Sequence, residues 1–134
     1  MSIVGRMPAD RWDQPSACGS WTNKELLIHL ATGYVVRSDR LESVLAGRVP
    51  AEDPDIDAVN ERNVGAWAPA PVEAIVAEML ATRSRLLDLI TQLEPEHLAV
   101  PLPGAGSLVR LGDTLETMSQ HDEEHAAQLR AALP

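Results

Sequence analysis

The chain has 134 residues, with 20 acidic against 11 basic side chains and a formal net charge of −9. One domain fits that length, and so acidic a chain argues against the clustered Lys and Arg that grip phosphate backbones or anionic membranes. Hydrophobic residues make up 45% but aromatics only 3%, with no Phe, so the core must be aliphatic, a composition that leans helical.

Met1–Pro8 has no apolar h-region, so no signal peptide is expected. No apolar run approaches the roughly 20 residues of a membrane span. The single cysteine, Cys18, cannot close an intrachain disulfide and suits a reducing compartment. A cytoplasmic location is the expectation.

Thr22-Asn23-Lys24-Glu25 reads as a capping box, with Trp21 and Leu26 placed as a hydrophobic staple. Leu27, Leu30, Tyr34, Leu41 and Leu45 follow at helical spacing, and Gly47 with Pro50 marks a stop. The first long helix is therefore expected over about residues 22–46. Residues 48–55, with two prolines and three acids, read as loop. Ile56–Trp67 reads as a short helix ended by Ala68-Pro69-Ala70-Pro71. Pro71 suits the first turn of the next helix, which runs to Leu93 on a wide stripe that includes Val72, Ile75, Met79, Leu86 and Ile90. So wide a stripe predicts a central place in a bundle. Residues 94–107, with three prolines and two glycines, read as loop. A last helix begins between Leu108 and Asp113, with Leu111, Leu115, Met118, His125 and Leu129 on one stripe. No strand-type alternation or hairpin signal appears. The expected fold class is all-α, a single domain over residues 1–134 with three long helices and one short one.

Two loops echo each other. Pro8…Trp12…Pro15…Gly19-Ser20-Trp21 resembles Pro95…Leu98…Pro101…Gly106-Ser107-Leu108, and each leads into a histidine-bearing helix. Similar turn chemistry reached independently explains this, as does a pseudo-symmetric bundle whose halves deliver ligands to one place.

The chemistry gathers on the histidines. His121 and His125 stand four apart, so their imidazoles point about 40° apart on one helix face and can share a metal ion. The wheel puts His125 about 20° from Met118 and about 40° from Leu129, and His121 at the stripe's edge. Histidines in an aliphatic core are costly unless their nitrogens find partners. His29 has apolar company too, with Leu26 and Gly33 one turn away and Val36 two turns away. Gly33 costs about 1 kcal/mol in a helix against alanine and is placed to make room beside the imidazole. One histidine from the first long helix and two from the last would give three ligands from facing helices. His97 lies in the Pro-rich loop and reads as a solvated or packing residue. Cys18 as a nucleophile would need a nearby base. Glu123 and Glu124 read as a solvated face, whereas Asp122 is placed to orient a histidine. Trp12 and Trp67 read as packing residues.

Gly19-Ser20-Trp21-Thr22-Asn23-Lys24-Glu25-Leu26-Leu27-Ile28-His29-Leu30 and His121-Asp122-Glu123-Glu124-His125-Ala126-Ala127-Gln128-Leu129 together resemble the two histidine motifs of the DinB/YfiT-like superfamily of metal-binding four-helix proteins. The segment Asp57–Leu93 resembles that family's "N…W" helix and Leu-rich third helix. The resemblance implies an up-down-down-up bundle with a divalent metal, zinc or nickel, on His29, His121 and His125. It implies thiol-dependent chemistry, since characterised members are isomerases and S-transferases that use mycothiol or bacillithiol. Others are described only as metal-dependent hydrolases, and many are dimers.

The expected function is that of a metal-dependent enzyme, a thiol-dependent S-transferase or isomerase acting on a small-molecule substrate. A metal-dependent hydrolase and a non-catalytic metal- or ligand-binding bundle are the alternatives. Arg37, Arg40 and Arg83 are candidates to line the pocket and meet a carboxylate-bearing thiol. The family's usual full first helix has only about six residues in its place here. The apolar surface this leaves predicts a homodimer, unless Ile56–Trp67 completes the bundle.

Overall fold

The computed structural model describes residues 2–50, 55–104 and 107–134. A one-turn helix α1 (Ile3–Arg6) and a 3-10 turn (Ala9–Arg11) precede the long helix α2 (Asn23–Leu45). Then come α3 (Ile56–Trp67), α4 (Val72–Thr91), the one-turn α5 (Pro95–Leu98), the strands β1 (Pro101–Gly104) and β2 (Ser107–Arg110), and α6 (Leu111–Arg130).

Helix α2 starts where its capping box demands. Thr22 Oγ1 accepts from the Glu25 amide at 3.2 Å, and Glu25 Oε2 accepts from the Thr22 amide at 2.9 Å. The preceding loop covers the two amides between them, since Gln14 O accepts from Asn23 N and Trp12 O from Lys24 N. All four amides that a helix start leaves without an intrahelical acceptor are thus satisfied. At the other end Gly47 takes φ +72°. Its amide donates to Val44 O and that of Arg48 to Ser43 O, the Schellman pattern that needs a left-handed residue.

The three long helices align by what they bury. Ile75 of α4 packs in a cluster with Leu26, Leu27 and Ala31, and Leu86 in a second with Leu41 and Val44, so α4 runs parallel to α2. Leu111 joins the second cluster and Leu129 the first, so α6 runs antiparallel to both. Helix α3 is the return segment that lets α2 and α4 run the same way. It lies back along α2, with Val59 and Val64 buried and Lys24 Nζ donating to Ala68 O at 2.7 Å.

Helix α2 is the hub, with ten buried residues against two on α4. The wide stripe of α4 does not make it central. Part of that stripe faces an open cleft between α4 and α6, where Leu87 is 44% and Ile90 38% exposed. No described residue of α3 lines this cleft, whose volume is about 450 Å³, so α3 does not fill the corner of the bundle opposite α2.

Residues 94–107 are not simply loop. Among those described, α5 and an antiparallel pair interrupt them, with Pro101 opposite Arg110 and Leu102 opposite Val109. Four-residue strands are too short to show alternation. Pro101 and Pro103 fall on alternate positions of a two-stranded edge, where a missing N–H is tolerated. The two echoing loops share this construction. Each has one helical turn, then a proline bridged antiparallel to the residue that caps the next long helix: Pro15 to Thr22, and Pro101 to Arg110. No helix among the described residues is long and apolar enough to cross a membrane.

Replacing Thr22 by alanine should lower stability by about 1 kcal/mol. Leu87→Ala, on the open face, should stay within about 0.5 kcal/mol if the chain is tested as a monomer. Urea unfolding followed by circular dichroism measures both.

Candidate metal centre

The antiparallel run of α2 and α6 carries His29, near the start of one helix, onto His121 and His125, late in the other. His121 Nε2 lies 3.2 Å from His29 Nε2 and 2.9 Å from His125 Nε2. The ligand nitrogens all lie within 4.8 Å of one another. Trp21, expected as a staple, also covers His29, with ring centroids 4.6 Å apart.

The two imidazoles of α6 are held from behind. His125 is 8% exposed, and its Nδ1 meets Gln128 Oε1 at 2.6 Å. An amide oxygen can only accept, so Nδ1 is the donor in this bond and Nε2 is the nitrogen turned toward the other histidines. Asp122 makes a two-pronged ion pair with Arg37, at 2.6 and 2.8 Å. His121 Nδ1 sits 3.5 Å from both Asp122 Oδ1 and Arg37 Nη2, so the pair braces the ring at its rim. The expected orienting role of Asp122 therefore reaches His121 together with an arginine from α2.

Burial, reinforced by the neighbouring His121 and His125, pushes His29 down to about 4. His121 is also lowered, by burial first and His125 second. Both rings are therefore uncharged at neutral pH, the form that ligates metal.

The donor set fits a divalent ion. Nitrogens at about 2.0–2.1 Å from a tetrahedral zinc lie about 3.3–3.4 Å apart, close to the two separations found. Each Nε2 has one in-plane position, for a proton or a lone pair, so without a cation His121 Nε2 can form a good hydrogen bond with only one of its two neighbours. Three protein ligands also leave a position open, as catalytic sites do and structural ones do not.

A cavity of about 250 Å³ opens on His29 and His121 between α2, α3 and α6. Arg40 lines it, Arg83 lines the cleft between α4 and α6, and Arg37 is taken up by Asp122. His97 stands apart, its Nδ1 accepting from the Glu94 amide at 2.8 Å to cap α5. Cys18 faces a cavity walled by Asp57 and Glu61, with no histidine or lysine among its lining residues. Trp12 is buried in the core and Trp67 packs against it. Gly33 does not relieve crowding at the imidazole, because a Cβ there would meet only Arg37 Nη2, at 3.9 Å. It leaves cavity space instead. Sequence reasoning gave no role to Gln128, whose signal was its place three residues after His125, on the same helix face.

The DinB superfamily profile matches residues 1–129. By sequence, no curated protein matches at a significant level. Among solved structures the chain is similar to a mycothiol-dependent maleylpyruvate isomerase, with TM-score 0.81, 15% identity, and 95% of this chain and 53% of that one covered. A histidine-to-alanine mutant of a mycothiol-dependent maleylpyruvate isomerase matches at 14% identity, with the same TM-score of 0.81. At these identities the likeness is one of fold, and the chain spans about half the length of either structure.

Gly33→Ala should stabilise the protein by roughly 0.5–1 kcal/mol, since the new methyl meets only ordinary contact and removes the helix cost of glycine. Urea unfolding would show it, and a loss of stability would mean that the cavity wall is tighter than described.

Proposed function

Since the chain belongs to the DinB superfamily, we propose that it holds a divalent ion, zinc or nickel, on His29, His121 and His125 and catalyses thiol-dependent S-transfer or isomerisation of a small electrophile. The observation that carries this reading is the convergence of three imidazole nitrogens, 2.9 and 3.2 Å apart, beside a cavity that His29 and His121 line. Such an ion supplies a site for the sulfur of a small thiol cofactor and favours its deprotonated form.

The chain's own residues supply the rest. Gln128 fixes the His125 tautomer, and the Arg37–Asp122 pair holds α2 against α6 so that His29 and His121 keep their spacing. Trp21 shields one side of His29. Val36, Val59 and Met118 make much of the cavity wall apolar, which limits water beside the sulfur and favours transfer over hydrolysis. We place the protein in the cytoplasm, where low-molecular-weight thiols are kept reduced.

We further propose a homodimer closed over the cleft between α4 and α6. The exposed Leu87 and Ile90 support it, and a two-fold axis would bring the same patch against itself.

Elemental analysis of purified protein, followed by a panel of small thiols with a generic electrophile, tests the activity. Metal with thiol-dependent turnover supports the proposal. Metal with thiol-independent hydrolysis would establish the hydrolase alternative, and metal with neither the binding bundle. His125→Ala should abolish metal binding, whereas His97→Ala should leave it intact, both read as metal content per chain. Light scattering at micromolar concentration should give twice the 14.5 kDa chain mass, and a monomer would rule the dimer out.

A further inference from the structure

The cavity on His29 and His121 has an unusual charge balance for this protein. In a chain with a net charge of −9, none of its lining residues is acidic, while two are arginines and two are asparagines. Arg37 is neutralised by Asp122. Arg40, Asn60 and Asn63 have no hydrogen-bond or ion-pair partner among the described residues, although all three are only partly exposed. A cationic fork and two carboxamides whose side chains have no protein partner, in a half-closed, partly apolar space, are groups that a ligand can engage.

The helix geometry places the arginine. His29, Gly33, Val36 and Arg40 follow one face of α2, and the Cα atoms of the first and last lie about 16 Å apart along the axis. Side chains on a helix leave the backbone tilted toward its N-terminus, so the Arg40 side chain starts out on the His29 side of its Cα, and both residues line the same cavity. Between the two ends lie the apolar side chains of Val36, Val59 and Met118.

We infer that this cavity is built for a small acyclic ligand that carries a carboxylate at the end remote from the histidines, with Arg40 as the residue that selects it. The inference deepens the proposed function and rests on it for the group at the near end. Asn60 and Asn63, on α3, are placed to donate along the ligand's length. A planar guanidinium matches a carboxylate with two parallel hydrogen bonds, and an acid-free wall leaves that anion unopposed.

The test compares 6-mercaptohexanoate with 6-mercaptohexan-1-ol on the cobalt(II)-loaded protein, reading the thiolate-to-cobalt absorption band. The acid should bind about tenfold or more tightly than the alcohol, as expected for a charge-assisted hydrogen bond. Arg40→Met should erase that preference while leaving alcohol binding within about twofold, and Arg40→Lys should restore part of it. Equal binding of the two thiols, or a preference that survives in Arg40→Met, overturns the inference and leaves the metal–thiol reading standing. If neither thiol reaches the cobalt, the metal–thiol reading falls, and hexanoate added to the metal-free protein decides the subsite. Shifts of the Asn60 and Asn63 side-chain amide signals that disappear in Arg40→Met support it, and unshifted signals, or shifts unchanged in the variant, overturn it.

Discussion

The ion pair between Arg37 and Asp122 is the constraint on which the site depends. It joins the middle of α2 to the late part of α6 through two short bonds, with the arginine side chain 10% and the aspartate 25% exposed. A pair this sheltered gains little net stability over an apolar contact, but it fixes how two helices meet, because either charge left alone would be costly. The aliphatic clusters above and below it tolerate small shifts along the helix axes. The pair does not, and the spacing of His29 from His121 follows from it.

It also divides space. Arg37 and Asp122 both line the cleft between α4 and α6, and Arg37 lines the smaller cavity beside the histidines as well. One compartment is walled by α3 and faces the imidazoles. The other takes its walls from α4 and α6 and has Arg83 and Arg130 on them. A ligand too large for one would have to displace the ion pair to use both, so the pair sets an upper bound on what fits beside the histidines.

Much of this was legible in the residues. The capping box at Thr22, the stop at Gly47 and the bounds of Ile56–Trp67 depend on local chemistry, which sequence states directly. The histidine triad was legible because helical phase puts His121 and His125 on one face and His29 among leucines. What escaped depends on neighbours distant in the chain. The width of the α4 stripe suggested a central helix, yet periodicity does not say which part of an apolar face finds a partner. The pairing of Pro101–Gly104 with Ser107–Arg110 was hidden by its prolines and its shortness. Arg37 showed only as one of three arginines that could line the pocket and meet a carboxylate. Its partner lies 85 positions away, and nothing local announces it.

The separation of the ligands along the chain has a consequence for folding. His29 and His121 are 92 residues apart, so their meeting closes about two thirds of the 134-residue chain into a loop, among the most entropically demanding contacts the protein makes. The local devices that enter each ligand helix, the turns and proline bridges before Thr22 and Leu111, can form early. The nitrogens can converge only after α2, α4 and α6 have docked. Capture of the proposed ion would therefore be a late event that discriminates the assembled chain from every partly folded one. An ion taken up at that stage would shift the folding equilibrium by mass action, and would couple the abundance of folded protein to the supply of free metal.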